Sequence, residues 1–132
     1  MKNLAIVGLL LVSISMHAQI SAREVADKCK ALNIASEDVR DDRLIDHAIN
    51  VGFCNGYLQG VVGTLITWDA VGDKVHFKML DPYTYHDLAD ALLADLHEHP
   101  EDNPQPASLM IIKAAREHKM IEVVAATKTK ER

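Results

Sequence analysis

From Asp42 to Trp68 apolar residues recur every three or four positions: Leu44, Ala48, Val51, Cys54, Leu58, Val61, Leu65 and Trp68. That period predicts one long helix with a buried stripe. Gly52, Gly56 and Gly60 follow each other at helical spacing on the side opposite Leu58, with Gly63 beside them. An interior glycine costs a helix about 1 kcal/mol relative to alanine. A ridge of them therefore predicts the close approach of another backbone, and both faces are expected to pack within a soluble bundle. Asn55 and Gln59 in the middle, and the acidic flanks, oppose a membrane span. The alternative, a loose glycine-rich strand and turn, fits the regular apolar period poorly.

Shorter helices are expected on either side. Ser21 and Glu24 fit a capping box that starts a first helix carrying Val25, Cys29 and Leu32, with a loop over Asn33 to Asp38. Thr84 and Asp87 form a variant box ahead of Leu88, Leu92, Leu93 and Leu96, and Pro100 ends that helix. Beyond a turn-rich stretch, Leu109, Met110, Ile111, Ala114, Ala115 and His118 predict a fourth helix reaching as far as Val124. Between the second and third, Asp69 to Tyr83 holds Gly72, Pro82 and the alternating run Val75 to Met79. It reads as a loop, with a short extended piece as the alternative. The expected fold is all-α, a compact bundle of four to five helices around the long central one.

The N-terminus changes the compartment. Lys2 and the apolar run Leu4 to Ile14 read as a secretion signal cleaved after Ala18, with Ala22 as a second candidate site. A run of about eleven residues is too short to span a bilayer as a helix. A periplasmic domain over 19–126 is expected, with a flexible polar tail over 127–132. After Ala18 there are 13 basic and 19 acidic residues, 13 − 19 = −6, since Lys2 alone of the 14 basic residues precedes it. That balance disfavours nucleic acid and anionic membrane, which are gripped through Lys and Arg, and suits a basic partner. Cys29 and Cys54 are the two cysteines, so an oxidising compartment predicts one disulfide between them.

No nucleophile elbow, phosphate-binding glycine loop or helical zinc-protease motif occurs, and no cofactor or metal is expected. His97 and His99 flank Glu98, but alternate residues of a helix diverge too far to share one ion, so solvated histidines at a helix end are expected. Asp87, Asp90, Asp95 and Glu98 are expected to form an acidic outer face on the third helix, solvated in the ordinary case. Tyr57 reads as a core residue with its hydroxyl at the surface, or as an interface anchor. Phe77, Tyr83 and Tyr85 read equally as a lid over the core or as a recognition surface.

The segment Cys54-Asn55-Gly56-Tyr57-Leu58-Gln59-Gly60 resembles the C-x-G-Y-x-x-G helix of the Rap/Tai family of type VI secretion immunity proteins. The upstream Cys29, the His99-Pro100-Glu101 break after a leucine-rich helix, and an alanine-rich last helix with Ala107 and Ala114 are similar to that family too. The resemblance implies a small helical periplasmic protein, often a homodimer and not an enzyme, that binds and sterically blocks a peptidoglycan amidase delivered by neighbouring cells. It implies Cys29 and Cys54 as the staple and Gly56, Tyr57 and Gly60 as framework of the central helix, to which the glycine spacing adds Gly52. Effector contacts are expected in the Asp69 to Tyr85 segment, at Asp73, His76, Phe77 and Tyr83. Family members often carry a second cysteine pair, which this chain lacks near Met79-Leu80 and His118-Lys119. A rival from another class is a periplasmic acid-stress chaperone, since acid would charge the histidines, neutralise the carboxylates and loosen a dimer.

Overall fold

A computed structural model describes residues 19–71 and 75–125, with the side chains of 68–71, 75, 76, 78 and 123–125 excepted. The expected signal, the expected tail and Asp73 lie outside the described residues.

Four α-helices carry the described chain: α1 over Ala22–Cys29, α2 over Leu44–Val71, α3 over Tyr85–Glu98 and α4 over Ala107–Glu117. Ser21 caps α1 as expected, accepting from the Glu24 amide while the Glu24 carboxylate accepts from the Ser21 amide. Two further amides at that end, of Ala22 and Arg23, donate to the carbonyls of Gln105 and Asn103 at 2.8 and 3.1 Å. The orphan donors of a helix start thus anchor α1 to the turn that precedes α4. Thr84 and Asp87 form the second capping box, at the head of α3.

α2 touches α1, α3 and α4, and α1 in turn touches α3 and α4. The core between them is built of small and medium side chains. Its largest fully buried members are Leu58, Leu88, Leu92, Ile111, Val25 and the two cysteines. Phe53, Tyr57, Phe77 and Tyr85 are half-buried at its margin. A core this thin makes a covalent tie between α1 and α2 valuable.

Two expectations fail on the same element. The run Val75–Met79 is a strand, β1, and the fourth helix stops at Glu117 instead of reaching Val124, because Ile121–Ala125 is a second strand, β2. They pair antiparallel, Val75 opposite Ala125 and Met79 opposite Ile121. β-branched Ile121, Val123 and Val124 favour that pleated pairing over a helix. The helix is closed by Lys119, which takes φ 55° without being glycine. The Met120 amide then reaches back to the Ala115 carbonyl at 2.8 Å, a helix-ending bond usually announced by glycine. β1 packs on α2, so the strand pair joins the middle of the chain to its end.

Candidate binding surfaces

Cys29 and Cys54 are bonded, with Cα atoms 5.0 Å apart, and neither is exposed. Around them α2 presents its sealed side: Cys54, Leu58 and Val62 are buried, and Val51, Val61 and Leu65 half-buried. Leu44 and Ala48, placed on the same stripe by their spacing, are exposed, and the Trp68 side chain is outside the description. The stripe is thus correct in its middle and overextended at its start.

The opposite side corrects a second expectation. A Cβ built on Gly52, Gly56, Gly60 or Gly63 meets no atom within 4 Å. No element of the described chain packs on this ridge. Its flanks are aliphatic and open, with Ile45 76%, Ile49 60% and Ile66 48% exposed. No Asp, Glu, Lys or Arg stands between Asp46 and Asp69. The Thr67 hydroxyl on this side donates to the Gly63 carbonyl at 2.8 Å, which removes a donor from the surface. No helix of the described residues is long and apolar enough to cross a membrane.

Tyr57 stands on the flank between the two sides, half-buried and stacked on Phe53 with ring centres 5.9 Å apart. Lys28 Nζ lies 5.2 Å from the Phe53 ring centre and donates to Asn50 at 3.4 Å. Burial pushes the Tyr57 phenol above its ordinary value. Phe53 is absent from the predicted stripe, because its position lies at the stripe's edge.

A cleft of about 820 Å³ opens beside this flank, between the end of α1, the three short 3-10 turns over 30–43 and the first turns of α2. Ala31, Ile34, Val39 and Ile49 supply its apolar lining, and Lys28, Arg43 and His47 are among its polar walls. Nothing in the sequence pattern marks it, since the turns that build it fall in and on either side of the loop expected over Asn33 to Asp38.

Of the expected effector residues, Phe77 and Tyr83 are the two whose side chains are described, and they differ in exposure. The His76 side chain is not described, its backbone lying opposite Val124 in the strand pair. Phe77 is half-buried against the core, as is Tyr85, while Tyr83 is 37% exposed. The aromatic trio therefore divides into two residues that close the core and one that faces out.

The acidic outer face of α3 holds at Asp87, Asp90 and Glu98, which are exposed, and is corrected at Asp95. Asp95 is only 7% exposed and points inward, where its Oδ1 accepts from His118 Nε2 at 2.9 Å. Its Oδ2 has no partner among the described atoms. Asp87 serves the helix cap, whose Thr84 hydroxyl holds its carboxyl below the usual range. Asp90 accepts from Asn33 Nδ2 at 2.8 Å, and Asn33 Oδ1 lies 2.6 Å from His86 Nε2, tying the turn after α1 to α3. Lys30 lowers Asp27 by hydrogen bonding, and Asp102 raises Lys113 in the same way, through a 2.7 Å bond. His97 and His99 are exposed, with His99 Nδ1 3.2 Å from Glu101. Among the described residues no three His, Cys, Asp or Glu side chains are grouped to hold a metal ion.

Polar groups bound up in caps and cross-links, around a small core sealed by one disulfide, make a rigid helical scaffold whose open features are surfaces. Residues 21–118 match the family model of the Rap1a immunity proteins. The chain belongs to that family, and the Cys29–Cys54 staple expected from the resemblance is present. No match was found among curated proteins, and none among solved structures.

Proposed function

We propose that this chain is a periplasmic immunity protein that binds a cell-wall amidase delivered by type VI secretion and blocks it sterically. The match to the Rap1a family over 21–118 carries the reading. Members of an immunity family are generally not enzymes and act on a cognate effector by binding it. The signal-like N-terminus, the disulfide and the acidic balance of the mature chain support export and a basic partner.

The working form we propose is a homodimer across the glycine ridge of α2. An antiparallel crossing centred on Gly56 sets Gly52 of each copy against Gly60 of the other. It sets Ile49 against Gly63, an aliphatic knob over a position without a side chain. Such a face is complementary to itself, which a two-fold interface requires.

Inhibition of candidate secreted amidases by the purified mature protein tests the reading, with stoichiometric loss of peptidoglycan cleavage expected. Absence of inhibition, combined with protection of unfolding client proteins near about pH 3, would instead select the chaperone class.

A further inference from the structure

We infer that the cleft between α1, the turns over 30–43 and the start of α2 is the surface that receives the partner hydrolase. The segment it receives is a loop with an apolar side chain flanked by lysine or arginine. This rests on the immunity reading above.

The first observation is where the aliphatic surface lies. Of the large hydrophobic side chains left exposed, Ile34 and Ile49 line the cleft, and Leu44 stands in the first turn of α2 beside it. Ile34 is 48% exposed and, with Val39 and Ile49, gives the cleft an apolar lining. An apolar patch bordered by polar residues is the usual mark of a protein interface. The walls are held beforehand by the Cys29–Cys54 bond and by hydrogen bonds within the turns, such as Asp38 N–H to Ala35 O at 2.9 Å and Arg43 N–H to Arg40 O at 2.8 Å. Little ordering is then left for binding to oppose.

The second observation is the state of the charges. Across the rest of the described surface most carboxylates are engaged: Glu24 and Asp87 in caps, Asp90 with Asn33, Asp95 with His118, Glu101 with His99 and Asp102 with Lys113. At the cleft the relation is reversed. Lys30 and Arg40 are paired with Asp27 and Asp42, and Lys28 is held by Asn50 and the Phe53 ring. Asp38 and Asp46 in the lining, and Glu37 and Asp41 on the turns beside it, make no ion pair among the described residues, against two cations without an ion pair, Lys28 and Arg43. Unpaired carboxylates around an apolar lining complement a cationic rim on the partner, which raises on-rate and fixes orientation. A second copy seated on the glycine ridge would take Ile49, but the rest of the lining, Ile34 and Val39 included, lies off that ridge and stays available.

The test is calorimetric titration of the oxidised mature protein with purified candidate secreted cell-wall amidases. Ile34→Asp is expected to weaken binding at least about 100-fold. The pair Asp38→Lys and Asp41→Lys is expected to weaken it about tenfold at low ionic strength, a loss that shrinks towards about 0.5 M salt. Tyr83→Ala, on the far loop, is expected to bind as the unaltered protein does. Ile34 is half exposed, so its variant should keep its helical circular dichroism, and that measurement accompanies the titration. Unchanged affinity in Ile34→Asp with a loss in Tyr83→Ala overturns the cleft while leaving the immunity reading intact. Failure of the unaltered protein to bind overturns both.

Discussion

Cys54, Leu58 and Val62 on one side of α2 are buried, whereas Gly52, Gly56, Gly60 and Gly63 on the other have nothing within 4 Å of a Cβ position. Both sides are free of charge between Asp46 and Asp69, and the sequence alone gives them equal claim to be covered. The difference is what each side has to offer a neighbour. Leucine, valine and cysteine side chains fill the space between α2 and α1 and bring a covalent tie. A glycine ridge offers only backbone, which gains from contact when a second surface fits its groove closely. Within one protomer no element of the described chain does so.

Breaking the sealed side has the largest expected effect. Replacing Cys29 and Cys54 by serine frees a 25-residue separation and should lower unfolding stability by about 3 to 4 kcal/mol on the chain-entropy model. Leu58→Ala should follow at about 3 kcal/mol, the sum of lost transfer energy and the cavity it leaves among buried neighbours. Urea unfolding of the oxidised proteins measures both. A Leu58→Ala loss below about 1 kcal/mol would mean that this side is no better sealed than the other.

Those residues are legible in the sequence itself. Cys29, Cys54 and Leu58 sit on a clean helical period, and Ser21 with Glu24 and Thr84 with Asp87 announce helix starts through side chains that have few other uses at such places. The strand pair is not legible, because β1 and β2 lie far apart in sequence and the turn that closes α4 uses Lys119 in place of the customary glycine. Asp95 misleads for a related reason. Its neighbours on α3 are solvent-facing acids, and only the fold brings His118 to its carboxylate. The cleft depends on 3-10 turns over 30–43, whose sequence carries no period, so no pattern of residues draws it.

The open side is tested by a substitution whose sign divides the two possibilities. Gly56→Ala meets no atom and improves helix propensity, so the isolated protomer should gain up to about 1 kcal/mol. If a second copy seats on the ridge, the same methyl, or more strongly the side chain of Gly56→Leu, enters the contact. Sedimentation should then show dimer dissociation at least about tenfold easier for Gly56→Leu, while the dilute monomer unfolds no more readily. A stabilised monomer with unaltered self-association would place the dimer elsewhere.

Tyr57 gives the smallest effect and locates the boundary between the two sides. Burial disfavours its phenolate, so the phenol holds its proton to higher pH in the folded chain than in the unfolded one. The sign follows from that: the contribution to stability is complete below the ordinary value of 10.0 and is lost as pH rises through the folded value. Ultraviolet titration of phenolate absorbance, read as the difference between the unaltered protein and Tyr57→Phe, isolates this group from the other tyrosines. Repeating it across protein concentration asks whether a second copy reaches the flank. A midpoint that climbs with concentration means that the partner covers Tyr57 as well as the glycines. A midpoint that stays fixed confines the contact to the ridge and leaves the Phe53–Tyr57 flank, with the cleft beside it, open to the hydrolase.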